Sequence, residues 1–185
     1  GSRASMAMMA AETLGLPVER VRVTVGDTAS IGYSFVTGGS RVTFATGMAV
    51  VDAANKVIED MKRRAALMWE CDAAHVRWHD GAAHYTGSDK DRPPLTLQAI
   101  AAKCANTGGP IGAEAAVNAQ GASPGFAAQI CDITVDPETG VSTVVRFTAA
   151  QDVGRAIHPS YVEGQMQGGV AQGIGNAFYE RLVYD

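Results

Sequence analysis

The stretch Ile130-Cys-Asp-Ile-Thr-Val-Asp-Pro-Glu-Thr-Gly-Val-Ser-Thr-Val-Val-Arg-Phe147 holds two β-rich runs separated by turn residues. Proline presets one turn dihedral, and glycine closes the turn where other residues would be strained. The pattern predicts an antiparallel hairpin, with strands over 130–135 and 141–147. Working downstream, the chain turns at Gly154 and Pro159. Val162, Met166, Val170, Ile174, Phe178 and Leu182 then recur every four residues, the spacing of a helix with one apolar stripe.

Upstream, the uninterrupted Arg3–Leu14 segment is predicted helical and stops at Gly15, with Pro17 just beyond. Val21, Val23 and Val25 alternate with polar residues and predict a half-buried strand that Gly26-Asp27-Thr28 ends. From Val42 an apolar-periodic run continues to Met68 and predicts a long helix, with the charged stretch Glu59 to Arg64 facing solvent. Residues 75–86 predict two short strands around the turn pair Asp80-Gly81, and Leu95–Ala105 a short amphipathic helix. Residues 106–125 are rich in Gly, Pro and Ala and predict a connecting or covering segment. A smaller lobe over about 70–125 fits this pattern. The fold class expected is α+β, with helices packed on short antiparallel strands.

Length and composition limit the function classes. The 185 residues form one domain, or a large and a small lobe, with 46% hydrophobic and 18% charged residues, well outside the disordered range. A net charge of −4 supplies no basic stripe for nucleic acid. No long apolar run encodes a membrane span, and the first residues lack a signal pattern. Cys71, Cys104 and Cys131 are too scattered for a disulfide framework or zinc knuckle. They fit buried thiols in a reducing, cytoplasmic compartment.

Two stretches carry candidate chemistry. Thr37-Gly-Gly-Ser-Arg41 enters the long helix, where free N–H groups, the Ser40 hydroxyl and the Arg41 guanidinium form an anion cradle. Ser40 as a plain N-cap and Arg41 as a plain surface residue fit the same letters. It is not a P-loop, because the Lys-Ser/Thr step is missing. The second stretch is Glu163-Gly-Gln-Met-Gln-Gly-Gly-Val-Ala-Gln-Gly-Ile-Gly175. Each glycine inside a helix costs about 1 kcal/mol against alanine. Either another helix packs on this face or a cofactor lies along it, and Gln165, Gln167 and Gln172 suit a polar heterocycle. The interspersed Glu163 and glutamines exclude a membrane dimer face.

Other chemistry is poorly supported. His75, His79, His84 and His158 lack Cys or carboxylate partners at zinc-ligand spacing. There is no nucleophile elbow, Cys–His pairing or Rossmann fingerprint. Asp27, Asp132 and Asp152 near strand ends read as turn formers rather than acid catalysts.

Taken in order, Gly1-Ser-Arg-Ala-Ser5, Leu14-Gly-Leu-Pro-Val-Glu-Arg-Val-Arg-Val-Thr-Val-Gly-Asp-Thr28, Thr37–Arg41 and Asp152-Val-Gly…His158-Pro…Glu163–Gly175 resemble the molybdopterin-binding large subunit of the xanthine dehydrogenase family of molybdenum hydroxylases. That family includes aldehyde oxidoreductases, the large subunit of aerobic carbon monoxide dehydrogenase and 4-hydroxybenzoyl-CoA reductase. The resemblance covers almost the whole chain and is least specific over about 70–125.

The resemblance implies a molybdopterin cofactor, or its cytosine dinucleotide form, carrying Mo. It implies hydroxylation or oxidation of a small organic substrate using water, with electrons passing to 2Fe-2S and FAD partner domains or subunits. Cofactor roles carry over to Gly38, Gly39, Ser40, Arg41, Thr43 and Gln165. The family's catalytic base lies in a Gly-Glu motif that would follow Asp185, so no catalytic residue is assigned here. The expectation is a piece of a longer large subunit, inactive by itself, whose partners are the rest of that subunit, an iron–sulfur subunit and an FAD subunit. An excised domain and a split-gene product both fit. A non-catalytic assembly module keeping the fold without cofactor is the alternative.

Overall fold

A 23-residue helix, α2 (Gly47–Trp69), is the spine against which the first two-thirds of the chain folds. Met61, Ala65 and Ala66 on this helix are buried with Val76, Ala83 and Ile100. Small alanines let the neighbouring backbones come close. The helix ends where Glu70 turns left-handed, and the Cys71 N–H returns to the Ala66 carbonyl at 3.0 Å.

The computed structural model describes every residue except Gly1, Asp27, Ser30, Ile31, Asp89, Lys90, Ala122 and Ser123. The readings of Gly1 and Asp27 therefore lie outside the described residues. The chain divides into two compact units, residues 1–120 and 121–185.

In the first unit, α1 (Ser2–Leu14) packs on α2. The crossing is close at Gly47, where an added Cβ would lie 2.6 Å from the Met9 sulfur. Gly15 ends α1 with φ +70, as expected. Strands β1 (Val76–His79) and β2 (Ala82–Tyr85) pair antiparallel around Asp80-Gly81, both left-handed. The Trp78 indole donates to the Leu14 carbonyl at 2.9 Å, satisfying one helix-end acceptor.

Several expectations change here. Residues 21–26 form no strand: Val21 is extended, but no ladder partner is present among the described residues. The 95–105 helix breaks into β3 (Leu95–Thr96), α3 (Leu97–Ala101) and α4 (Cys104–Thr107). Leu95 and Thr96 pair with β2, and the Thr96 hydroxyl accepts from the Ala99 N–H, so the helix starts only at Leu97.

Arg64 does not face solvent. Its side chain is 3% exposed, and it donates to Asp60 at 2.7 Å and to the Gly109 and Pro110 carbonyls at 2.8 and 3.3 Å. It thereby ties the glycine-rich segment after α4 to α2. Nor are the thiols buried: Cys71 and Cys104 are half-buried and Cys131 is exposed.

The second unit is a hairpin and one helix. Strands β4 (Phe126–Val135) and β5 (Ser142–Asp152) pair as expected but run longer, with a bulge at Asp132/Ile133. Asp132 is not a turn former, since it sits within β4 and accepts from Arg146 at 2.8 Å. Asp152 does form a turn, accepting from the Gly154 N–H at 2.8 Å. Helix α5 (Pro159–Phe178) packs on β5. It stops four residues short of Leu182, because the Tyr179 and Glu180 N–H groups both close onto the Gly175 carbonyl.

Two measurements test this packing. At Gly15 an added Cβ would lie 2.7 Å from the Gly81 backbone nitrogen, at a φ of +70. Gly15→Ala should cost about 2 kcal/mol, read as faster hydrogen exchange in α1 and β1. Arg64→Ala should cost about 2–3 kcal/mol in urea unfolding, since two carbonyls and one oxygen of the Asp60 carboxylate lose a donor.

A pH test follows from Asp60. Burial pushes its carboxyl up, but the hydrogen bonds and charges of Arg63 and Arg64 outweigh this and hold it below 3.8. A lowered carboxylate stabilises fully above its unfolded pKa and loses that contribution as pH falls through the folded value. Asp60→Asn should therefore flatten the acid limb of the stability profile below about pH 4.

Candidate cofactor-binding site

Gly38, Gly39, Ser40, Arg41 and Thr43 lie together at the start of the π-helical turn Val42–Thr46 that leads into α2. The Arg41 N–H donates to the Gly38 carbonyl at 3.2 Å, and Gly39 and Ser40 have φ of +58 and +61. This is a tight turn with two left-handed central residues. For Gly39 that conformation is free, whereas for Ser40 it costs about 1 kcal/mol.

Ser40 does not act as an N-cap. Arg41 holds the cap position, and its side chain makes no capping hydrogen bond. The Arg41 guanidinium makes a long 3.5 Å contact to the Phe35 carbonyl and lies 5.8 Å from the Phe35 ring centroid. Gly38, Gly39, Ser40 and Thr43 are exposed, and a Cβ at Gly38 or Gly39 would meet nothing within 4 Å. The turn offers a guanidinium, two hydroxyls and helix-start N–H groups, with no acidic side chain among residues 37–46. Such a donor set fits an anionic, phosphate-bearing group.

Gln165 lies on α5 in the second unit and is exposed. The helix turns its Val162, Met166, Val170 and Ile174 stripe toward β5, lining an open cleft of about 610 Å³ with Phe147 and Gln151. Helical geometry places Gly164, Gln165, Gly168 and Gln172 on the other side. A Cβ at Gly164, Gly168, Gly169 or Gly173 would meet nothing within 4 Å. The helix-packing partner considered for this face is thus not supplied by residues 121–185.

The histidines have local neighbours. His75 sits in a 3₁₀ turn rather than a strand, and His79 lies 3.1 Å from Asp80 on an exposed hairpin tip. His158 stacks on Tyr161 with ring centroids 3.7 Å apart. Among the described residues, no three His, Cys, Asp or Glu side chains converge as a metal site. The contact of Phe35 with Arg41 has one signal in the sequence, an aromatic residue shortly before the Gly-Gly-Ser-Arg run.

A family model described as a molybdopterin cofactor-binding domain matches residues 1–185. The chain belongs to that family.

The resemblance to molybdenum hydroxylase large subunits, and the α+β fold, are thereby established. The nicotine 6-hydroxylase large subunit of Paenarthrobacter nicotinovorans is 32% identical across all of this domain. The carbon monoxide dehydrogenase large chain of Hydrogenophaga pseudoflava is 29% identical, again across all of it. The domain spans 23% of the length of each of these two relatives. A crystal structure of Cu,Mo-CO dehydrogenase superposes with a TM-score of 0.84 at 28% identity, covering 99% of this domain and 23% of that chain. Quinoline 2-oxidoreductase from Pseudomonas putida 86 gives 0.78 at 28% identity, over 100% and 24%. No helix among the described residues is long and apolar enough to cross a membrane.

The strain at Ser40 gives a direct test. Ser40→Gly should leave the unfolding midpoint unchanged or raised while lowering cofactor retention, because the conformation relaxes as the hydroxyl is lost. A drop in midpoint with full retention would oppose a binding role.

Proposed function

We propose that this chain is the cofactor-binding portion of a molybdenum hydroxylase large subunit. The complete enzyme oxidises or hydroxylates a small organic substrate using water and passes electrons to iron–sulfur and flavin partners. The observation that carries this reading is the Gly38–Arg41 turn, an exposed, donor-rich cradle without an acidic side chain and with a strained serine, in a domain of the molybdopterin-binding family. Relatives named as large or molybdenum-binding subunits support the partners.

In this reading Arg41 pairs with a phosphate of molybdopterin or of its cytosine dinucleotide form. The Ser40 and Thr43 hydroxyls and the N–H groups around Gly38 and Gly39 add hydrogen bonds. Missing Cβ atoms at Gly38 and Gly39 let the phosphate approach the backbone. Gln165 gives and accepts hydrogen bonds with the pterin without adding charge. When bound, the molybdenum centre supplies the redox chemistry. No residue of this domain is assigned as a catalytic acid or base. The rest of the large subunit is the first partner, since α5 and both long strands contain no fully buried residue.

The test compares two arginines in the complete complex. Arg41→Ala should lower molybdenum occupancy severalfold, because a charge-assisted contact is lost. Arg63→Ala should not, since Arg63 pairs with Asp60 on the α2 surface. Equal occupancy in both variants would leave the non-catalytic assembly reading in its place.

A further inference from the structure

The Arg41 side chain is long, and a guanidinium at a solvent-facing turn ordinarily samples many rotamers. Here one neighbour restrains it. The Phe35 ring lies 5.8 Å from the guanidinium carbon, within cation–π range, and the carbonyl of the same residue is 3.5 Å from Nη1. Phe35 itself is 58% exposed and is not part of the buried core of residues 1–120. Among the described residues, the Arg41 head group has its hydrogen-bond and cation–π contacts with Phe35 and pairs with no carboxylate.

We propose that Phe35 is a positioning residue, holding the Arg41 guanidinium over its ring so that the remaining N–H groups face an anionic ligand. This rests on the cofactor-binding reading above and adds the element that sets the arginine's direction. An aromatic ring attracts the cation without neutralising it, unlike an aspartate, so full charge stays available to a phosphate. Pre-orienting the side chain removes part of the ordering cost from the binding step.

The experiment measures molybdenum and pterin phosphate retained by the purified complete complex after gel filtration at rising salt. Phe35→Ala and Phe35→Leu should each weaken retention about two- to fivefold, the worth of an exposed cation–π contact. Phe35→Tyr, which keeps the ring face, should restore it. In an Arg41→Ala background the Phe35 substitutions should have no further effect.

Full retention by Phe35→Ala alongside loss in Arg41→Ala would overturn the positioning role and leave the cradle intact. Full retention by Arg41→Ala would overturn the cradle itself. Wild-type retention by Phe35→Leu would reduce the ring to bulk and overturn the cation–π argument. So would a lowered melting temperature of the cofactor-free Phe35→Ala subunit, which would make Phe35 a folding residue.

Discussion

Two backbones in the first unit touch so closely that neither can carry a side chain at the contact. A Cβ on Gly15 would sit 2.7 Å from the Gly81 nitrogen, and one on Gly81 would sit 2.9 Å from the Gly15 oxygen. Both residues are also left-handed, so glycine is demanded twice over. This contact joins the end of α1 to the β1–β2 turn, and the Trp78 indole reinforces it by reaching the Leu14 carbonyl. Since α1 also crosses α2 near its middle, where Met9 meets Gly47, it is held there as well as at its C-terminal end. The start of α2 is thereby fixed, and the Gly38–Arg41 turn leads directly into it.

What was legible in the sequence were the elements whose cause is local. The β4–β5 hairpin follows from Asp136 through Gly140: the Asp136 carboxylate accepts from the Glu138 N–H at 2.8 Å, and Gly140 is left-handed. Backbone donors on Glu138 and Thr139 also hold that carboxyl below its usual range. The end of α1 at Gly15 and the turn at Asp80-Gly81 are local in the same way. The candidate cradle was legible as a set of residue types, because glycine, serine and arginine at a helix start advertise their donors.

What was not legible depended on partners distant in sequence. Alternation at Val21, Val23 and Val25 signals extended backbone, but a strand needs a second strand, and none pairs with it among the described residues. Arg64 reads as one more charge in a charged run. Only the fold reveals that residues 107–110, more than forty positions away, supply its acceptors. Leu182 continues the four-residue repeat of α5 in letters alone. Gly175 ends that helix by collecting two N–H groups, which periodicity cannot foresee.

The glycines themselves separate internal structure from function. Gly15 and Gly81 are explained by left-handed backbone and by neighbours closer than 3 Å, and Gly47 by the Met9 side chain alone. Gly140 and Gly154 are explained by turn conformation. Gly164, Gly168, Gly169 and Gly173 have neither reason: none has a positive φ, and none has a neighbour within 4 Å. They nevertheless cost helix stability, about 1 kcal/mol each. A helix that tolerates this cost while contributing no fully buried residue is shaped for something outside residues 121–185. Gln165 and Gln172 make that surface polar and uncharged. An apolar helix partner would strand their amides without hydrogen bonds, so whatever covers this face must itself present donors and acceptors.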